Sequence, residues 1–286
     1  MLRTNTWIGN TGRFRRGGRV GLVKRGVVAV QVGFYVLWLR GINLFSLRRV
    51  TGDCDVDVSL TTYGNRVRSV WSTVESIGRG TVRPRRIILW IEDPSIVANP
   101  PAPLRRLRRR GLEIKQCDDF GPHKKYYPYL LEGEPTRTLV TADDDMYYPR
   151  RWLENLLAAH RDGEVTAYRA RLRTDGPYAS WPACTTDKPS DRVFATGVSG
   201  VAYPSSLLSA LRARGDSFMD ICPRADDFWL HFAALATGLT IRQVANFPAD
   251  WWPQLRLAGT GLWPENLKEG GNDAIAAQTA RAWLRH

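Results

Sequence analysis

From position 55 onward the chain alternates two kinds of apolar pattern. Residues 56–62 (VDVSLTT) alternate apolar and polar positions and are β-branched, which predicts a half-buried strand. Between 67 and 77, Val67, Val70, Trp71, Val74 and Ile77 recur at helical spacing and fall on one face. Residues 86–91 (RIILWI) form a continuous apolar run of strand length, and 112–117 and 138–142 (TLVTA) are further short strands. A short, very basic helix is expected at 104–110. Pro149 marks a helix start, with an amphipathic helix over 152–160. This β-α-β-α-β order predicts an α/β fold with a mainly parallel sheet and crossover helices. In such sheets ligands sit at the carboxyl ends of strands, so chemistry is sought there.

After a strand expected at 165–168 the chain turns irregular over 174–200, rich in Pro, Gly, Ser, Thr and Asp. Helices are expected at 204–214, 224–236 and near 273–284, and a strand at 239–244. No internal repeat is present, and no linker in the body is long enough to force two domains.

The N-terminal segment has a different pattern. Residues 11–25 are rich in Gly and Arg and are expected to be a flexible basic arm. Residues 27–39 (VVAVQVGFYVLWL) are apolar except for Gln31. As a helix they would span roughly 20 Å, short of the about 30 Å of a hydrocarbon core. Extension to Leu47 gives enough length but places Arg40 inside. The basic start suits a signal peptide, but no small-residue cleavage pattern follows. A helix in the membrane interface is preferred, anchored by Phe34, Tyr35 and Trp38, with arginines on anionic head groups. A helix packed on the protein's own core and a true span are the alternatives.

Charge supports this division. The 286 residues hold 41 basic and 28 acidic side chains, a net of +13, which suggests nucleic acid or an anionic membrane. Before Asp53, however, there are 10 basic residues and no acidic one, so the remainder carries only +3. The expected organisation is a basic, apolar extension over 1–52 and a near-neutral main domain over 53–286. Nucleic acid is not expected as a partner. The four cysteines are scattered, as befits free thiols in a reducing cytoplasm, and the four histidines give little support to a zinc site.

Three polar segments carry candidate chemistry. In 139–149 (LVTADDDMYYP), Asp143, Asp144 and Asp145 follow directly on a buried-type strand. If the segment is extended, Asp143 and Asp145 face the same way and suit one hard cation such as Mg²⁺ or Mn²⁺. A solvated turn or helix cap is the alternative. In 222–231 (CPRADDFWLH), Asp226 and Asp227 precede an apolar helix, as a candidate general base or as N-caps. In 118–127 (DDFGPHKKYY), Lys124 and Lys125 are cationic tips suited to phosphate or a solvated loop.

Taken in order, these residues resemble the GT-A glycosyltransferases, specifically small bacterial family-2-like members. The match runs over 55–245 through 59–63 (SLTTY), 121–125 (GPHKK), the DxD-like Asp143-Asp144-Asp145, 197–204 (GVSGVAYP) and 225–229 (ADDFW). The resemblance implies a GT-A, Rossmann-like fold with a mixed, mainly parallel sheet flanked by helices. It implies transfer of a single sugar from a nucleoside-diphosphate sugar to a glycan or lipid-linked acceptor, with inversion. It places Mn²⁺ or Mg²⁺ on Asp145 and Asp143. Donor contacts would come from Thr62, Tyr63, Glu92, Asp93, Lys124, Asp143 and Asp144, and Asp227 or Asp226 would be the base. Gly200, Trp251 and Trp252 would meet the acceptor, the tryptophans alternatively packing the sheet's far end. Gly271-Asn272-Asp273 resembles a tail motif that closes the site or caps the last helix.

The sequence departs from the family in having Asp-Asp where relatives have Glu-Asp, and Gln254-Leu255-Arg256-Leu257 where processive synthases carry Q-x-x-R-W. The expected location is the cytoplasmic face of the cell membrane, reached through residues 1–49. The rival readings are an Asp-metal nucleotidyltransferase or phosphohydrolase, and a non-enzymatic nucleic-acid binder.

Overall fold

The computed structural model describes residues 19–249, 251–254 and 271–284, with side chains from Val28 onward. Helix α1 (Arg19–Phe45) precedes strand β1 (Cys54–Thr61), helix α2 (Val70–Gly78), β2 (Pro84–Ile91), α3 (Pro94–Ala98), α4 (Ala102–Arg109) and β3 (Leu112–Gln116). Then come α5 (Tyr127–Leu131), β4 (Thr138–Thr141), β5 (Met146–Tyr147), α6 (Trp152–Ala159), β6 (Glu164–Ala167), β7 (Ala170–Leu172), β8 (Val193–Ala195) and β9 (Val201–Tyr203). The chain closes with α7 (Ser205–Arg214), α8 (Phe218–Ile221), α9 (Asp226–Ala236), β10 (Thr240–Gln243), β11 (Trp252–Pro253) and α10 (Gly271–Leu284).

Seven strands form one sheet in the order β10-β6-β9-β4-β1-β2-β3. β1 pairs in parallel with both β2 and β4, and β2 with β3, as the alternating pattern predicts. β9 is the exception, antiparallel to both β4 and β6. Successive side chains of a strand face opposite sides, and the sheet uses both. Ile87, Leu89 and Ile91 join the core under α2, α4 and α6, whereas Ile88 and Trp90 join the core under α5, α7, α9 and α10. A sheet covered on both faces requires the continuous apolar run seen in β2.

Two elements differ from the sequence pattern. The expected helix over 67–77 is split: a tight 3-10 turn covers Gly64–Arg68, and α2 begins only at Val70. Gly64 has φ +52°, a left-handed start that permits this turn directly after β1. At the N-terminus, the helix extends well beyond residues 27–39 and includes 19–25, assigned from sequence to a flexible arm. Helix formation is cooperative, so an apolar run propagates helix into its flanks. Residues 1–18, and with them most of the basic arm, lie outside the described residues, as do Trp263 and the 255–257 segment.

The C-terminal half of α1 docks on the body. Val32, Leu39 and Asn43 are buried, at helical spacing along one face. The Asn43 amide donates to Glu75 Oε1 (2.9 Å) and to the Pro103 carbonyl (3.1 Å), and accepts from Arg106 Nε (2.8 Å). Glu75 is itself buried and paired with Arg110 (2.5 Å). The opposite face of α1 exposes Val30, Phe34, Leu37, Trp38 and Phe45.

Candidate active site

β1 and β4 lie side by side, so the segments leaving their carboxyl ends meet. After β1, the Thr62 hydroxyl donates to Asp144 Oδ2 (2.8 Å), and Arg66, carried by the 3-10 turn, donates to Asp144 Oδ1 (3.0 Å). The same guanidinium nitrogen lies 3.9 Å from Asp145 Oδ2 and its plane sits over the Tyr63 ring at 4.6 Å. Asp144 is thus buried and satisfied, whereas the Asp145 side chain keeps 28% of its surface exposed.

The i, i+2 argument for Asp143 and Asp145 does not hold in the structure. β4 ends at Thr141 and the chain bends at Asp144 and Asp145 before β5, so Asp143 and Asp145 are not on one extended segment and meet different partners. Asp143 Oδ1 accepts from Lys125 Nζ (2.7 Å) and Oδ2 from the Ser199 N–H (3.0 Å). The acidic segment is held from behind. Gln254 donates through its main chain to the Asp145 carbonyl (2.7 Å) and through its side chain to Thr73 Oγ1 (2.9 Å), and the Thr73 hydroxyl lies 3.0 Å from the Asp144 carbonyl.

Ser199 is the one non-glycine residue with positive φ (+70°) among the described residues. Such a conformation persists only where the surroundings over-determine it. Here its carbonyl accepts from the indoles of Trp152 and Trp251 (2.9 Å each) while its N–H binds Asp143. Gly200 follows with φ +112°, and a Cβ there would lie 2.7 Å from the Trp152 ring, so only glycine fits.

The third wall comes from docking one loop on another. His123 is buried, stacked on Phe218 at 4.0 Å, and bonded through Nε2 to the Cys222 carbonyl (2.9 Å). That carbonyl can only accept, so Nε2 carries the proton, and Nδ1 receives the Tyr126 hydroxyl at 2.9 Å. Burial pushes the His123 pKa down to about 4, which keeps the ring neutral. Gly121 completes the joint: a Cβ there would lie 2.7 Å from the Pro223 carbonyl. The 121–125 segment is thereby fixed against the 222–225 segment, which leads into α9.

This joint brings Lys125 beside Asp226 as well as Asp143. Burial pulls the Lys125 ammonium down, but the charges of Asp143 and Asp226 outweigh that and hold its pKa above the ordinary value. Both aspartates of α9 move upward. Burial raises Asp226, Lys125 opposes this, and Asp143 adds to it. Burial and then the neighbouring Asp226 raise Asp227 to about 7. Asp227 packs near Gly197, whose own carbonyl accepts from Lys125 (3.3 Å).

The structure therefore brings together Thr62, Tyr63, Asp143, Asp144, Asp145, Asp226 and Asp227. Other expected site residues are engaged elsewhere. Lys124 is buried and paired with Glu92 and with Asp119 (2.8 Å). Asp93 caps α3, accepting from the Ser95 N–H (2.9 Å) and hydroxyl (2.6 Å). Trp251 is buried edge-on against Tyr168, and Trp252 pairs with Tyr147 beside α1; both pack the protein rather than line an opening. Arg66, Ser199 and Gln254 are the residues that sequence reasoning left without a role, and Lys125 was expected only as a cationic tip for phosphate or a solvated loop. The resemblance put 121–125 at the site but favoured Lys124 over its neighbour.

No family model matches the chain, and no curated protein matches it. Among solved structures it is similar to the mannosyltransferase PcManGT from Pyrobaculum calidifontis, determined in complex with GDP-Man and Mn²⁺. The TM-score is 0.51 at 14% identity, over 91% of this chain and 76% of that one. The chain has the GT-A glycosyltransferase fold. It is also similar to S. aureus TarS 1-349, with a TM-score of 0.44 at 15% identity, and to the same fragment in complex with UDP, with a TM-score of 0.47 at 14%. The first of these matches spans 57% of the TarS fragment's length. In the GT-A fold found here, the acidic cluster stands at the carboxyl ends of adjacent parallel strands, where open α/β sheets bind ligands.

Proposed function

We propose that the chain is a glycosyltransferase that moves one sugar from a nucleoside-diphosphate sugar to a glycan or lipid-linked hydroxyl, with inversion. The observation that carries this is Lys125, bonded to Asp143 and close to Asp226, which joins a strand-end acidic cluster to two carboxylates of raised pKa. Asp145 suits a hard divalent cation: it is a partly exposed oxygen donor, and Mg²⁺-type sites need only one or two carboxylates besides water and substrate phosphates. Asp143, whose oxygens already accept from Lys125 and the Ser199 N–H, would be the second oxygen donor through its remaining lone pairs. Mn²⁺ or Mg²⁺ held there would act as a Lewis acid toward the departing diphosphate.

The chain's own residues do the rest. Asp144, fixed by Thr62 and Arg66, sets the backbone of the cluster, and Tyr63 with Arg66 forms an aromatic-cation wall at the β1 end. Asp227 is the base for the acceptor hydroxyl. Its pKa near 7 balances the fraction ionised against proton affinity. Lys125 opposes the upward shift that burial gives Asp226, and Asp226 in turn helps to raise Asp227.

The test is a panel of nucleoside-diphosphate sugars, GDP-mannose with Mn²⁺ first, scored for donor hydrolysis and thermal stabilisation. Metal-dependent turnover of at least one donor is expected, abolished by EDTA. Equal turnover in EDTA would remove the metal from the proposal. No turnover with any donor, combined with a phospho-aspartate trapped on Asp143, would favour a phosphohydrolase.

We further infer that residues 1–49 hold the catalytic domain, 53–286, on the anionic cytoplasmic face of the cell membrane. Within α1, the window Val28–Phe45 is apolar enough to cross a bilayer, with a mean hydropathy of 1.4. Two features favour the interface over a span. Arg40 lies exposed within the window, and the Asn43 face is bonded to the body, which a helix surrounded by lipid cannot be. Flotation of the full chain with phosphatidylglycerol vesicles, but not with neutral ones, is expected. Failure to float with either would overturn the placement.

A further inference from the structure

β7 and β8 form a two-stranded antiparallel ribbon in which Leu172 pairs with Val193. The next pair outward is Arg173 opposite Arg192, joined by the Arg173 N–H and the Arg192 carbonyl at 2.7 Å. Like charges directly opposite on an antiparallel pair destabilise it. Among the described residues neither guanidinium has a carboxylate within ion-pair distance; Asp175 and Asp191 are exposed nearby. Both arginines line a cavity of about 290 Å³, together with Thr174, one carboxylate (Asp175), Trp181, Phe232 and the small residues of α10 such as Ala277, so two cations face it against one anion. Arg173 lies over the Phe232 ring at 5.9 Å.

The cavity connects to the proposed base through Tyr178. Asp227 and Phe232 are both on α9, five residues apart and therefore on different faces of the helix. Trp181 packs on Tyr178 at 5.1 Å, and Tyr178 is close enough to Asp227 for that charge to contribute to its raised pKa. Arg171 continues the basic line over the Tyr178 ring at 5.2 Å. α10 closes the far side, with Asp273 accepting from the Tyr178 N–H at 2.7 Å.

We propose that this cavity is an acceptor subsite for an oxyanion, a carboxylate or phosphate carried by the acceptor chain near the hydroxyl that reacts. Two guanidinium forks match the paired oxygens of either group. Trp181 and Phe232 offer apolar surface to the adjoining sugar or polyol. The anion would sit against both guanidinium charges that line the cavity. Only the word acceptor rests on the transferase reading.

The experiment is calorimetric binding to the full-length chain in 0.15 M salt. The probes are an oligogalacturonate tetramer, a glycerol-phosphate tetramer and maltotetraose. At least one acidic probe is expected to bind tenfold or more tightly than maltotetraose, and which one does so identifies the oxyanion. R173Q/R192Q is expected to remove at least tenfold of that affinity. A277E keeps both arginines, sits at an exposed position and places a carboxylate at the cavity, so it is expected to weaken acidic probes alone. It decides the matter should the double variant fail to fold. Equal affinity for acidic and neutral probes would overturn the proposal. So would acidic binding that both variants leave intact, which would assign it to the basic residues before Asp53. Binding requires no turnover, so absence of donor hydrolysis would defeat the transferase reading and leave this result standing.

Discussion

Asp143, Asp144 and Asp145 each lie close to a cation or a fixed donor: Lys125 and the Ser199 N–H for the first, Arg66 and Thr62 for the second, Arg66 again for the third. Asp226 and Asp227 start a helix as half-buried side chains, with one lysine between them and the first cluster, and desolvation drives both pKa values upward. The same side chain thus meets cations and hydrogen-bond donors at one end of Lys125 and is pushed toward protonation by burial at the other. Anionic oxygens suit a metal and a diphosphate; a carboxylate near its pKa suits a proton. The fold achieves this difference by placing one cluster on a strand end among donors and the other against buried aromatic residues.

The largest expected effect breaks the proton half. Asp227→Asn should lower kcat by roughly 10²–10⁴-fold with donor KM little changed, since general base catalysis is worth about that much. In the unsubstituted chain kcat/KM should rise as pH passes through about 7 and level off above it, because the base must be ionised. Stability should run the other way. The folded-state pKa is raised from 3.8, so the protonated form favours folding at low pH, and that contribution is lost as pH rises through about 7. Denaturant midpoints measured from pH 5 to 9 check the sign. A flat rate profile with intact stability would take the base assignment away from Asp227.

Breaking the metal half is next. Asp145→Asn removes a charged oxygen donor and should lower metal-dependent donor hydrolysis by roughly 10²–10³-fold, while leaving the pH limb in place. Titration with Mn²⁺ should show a weakened metal requirement in the variant. Unaltered hydrolysis would mean that Asp145 holds no metal.

These two halves were not equally legible in the sequence. The sheet was, because β1, β2 and β4 carry period-two or continuous apolar runs that require a covered sheet. The acidic run after β4 was visible as composition at a strand end. What set the two clusters apart was not visible, because it depends on contacts between distant positions. Lys125 meets Asp143 from 18 residues away, Ser199 from 56, and Gln254 reaches Thr73 across 181. Lys124 and Lys125 look equivalent in a string of letters; the Gly121–Pro223 joint sends one to Asp143 and the other to Glu92 and Asp119. Trp251 and Trp252 stood open between an acceptor platform and packing for a related reason. An aromatic pair among prolines suits a sugar platform, but here one indole is needed to satisfy Ser199.

Lys125 is where the comparison can be sharpened. Its charge lowers the pKa of both Asp226 and Asp227. Lys125→Met should therefore move the alkaline-rising limb of kcat/KM to higher pH. Activity at pH 7 should fall, with substantial recovery near pH 9. A uniform loss at every pH would mean that Lys125 serves only to hold Asp143.

The smallest effect concerns how the two clusters are kept together. A Cβ at Gly121 would lie 2.7 Å from the Pro223 carbonyl, and φ is +57°, so Gly121→Ala must shift one loop against the other. Overpacking of this kind costs about 1–3 kcal/mol, which should lower Tm by a few degrees. The shift also loosens the approach of Lys125 to Asp226. The pH limb should move in the same direction as in Lys125→Met, but by less. A lower Tm with an unmoved limb would show that Asp143 and the Gly197 carbonyl alone fix Lys125, and that the His123–Cys222 joint stabilises the fold without tuning the base. A limb that moves in both variants would make the loop joint the device that sets the carboxylate pair for proton transfer.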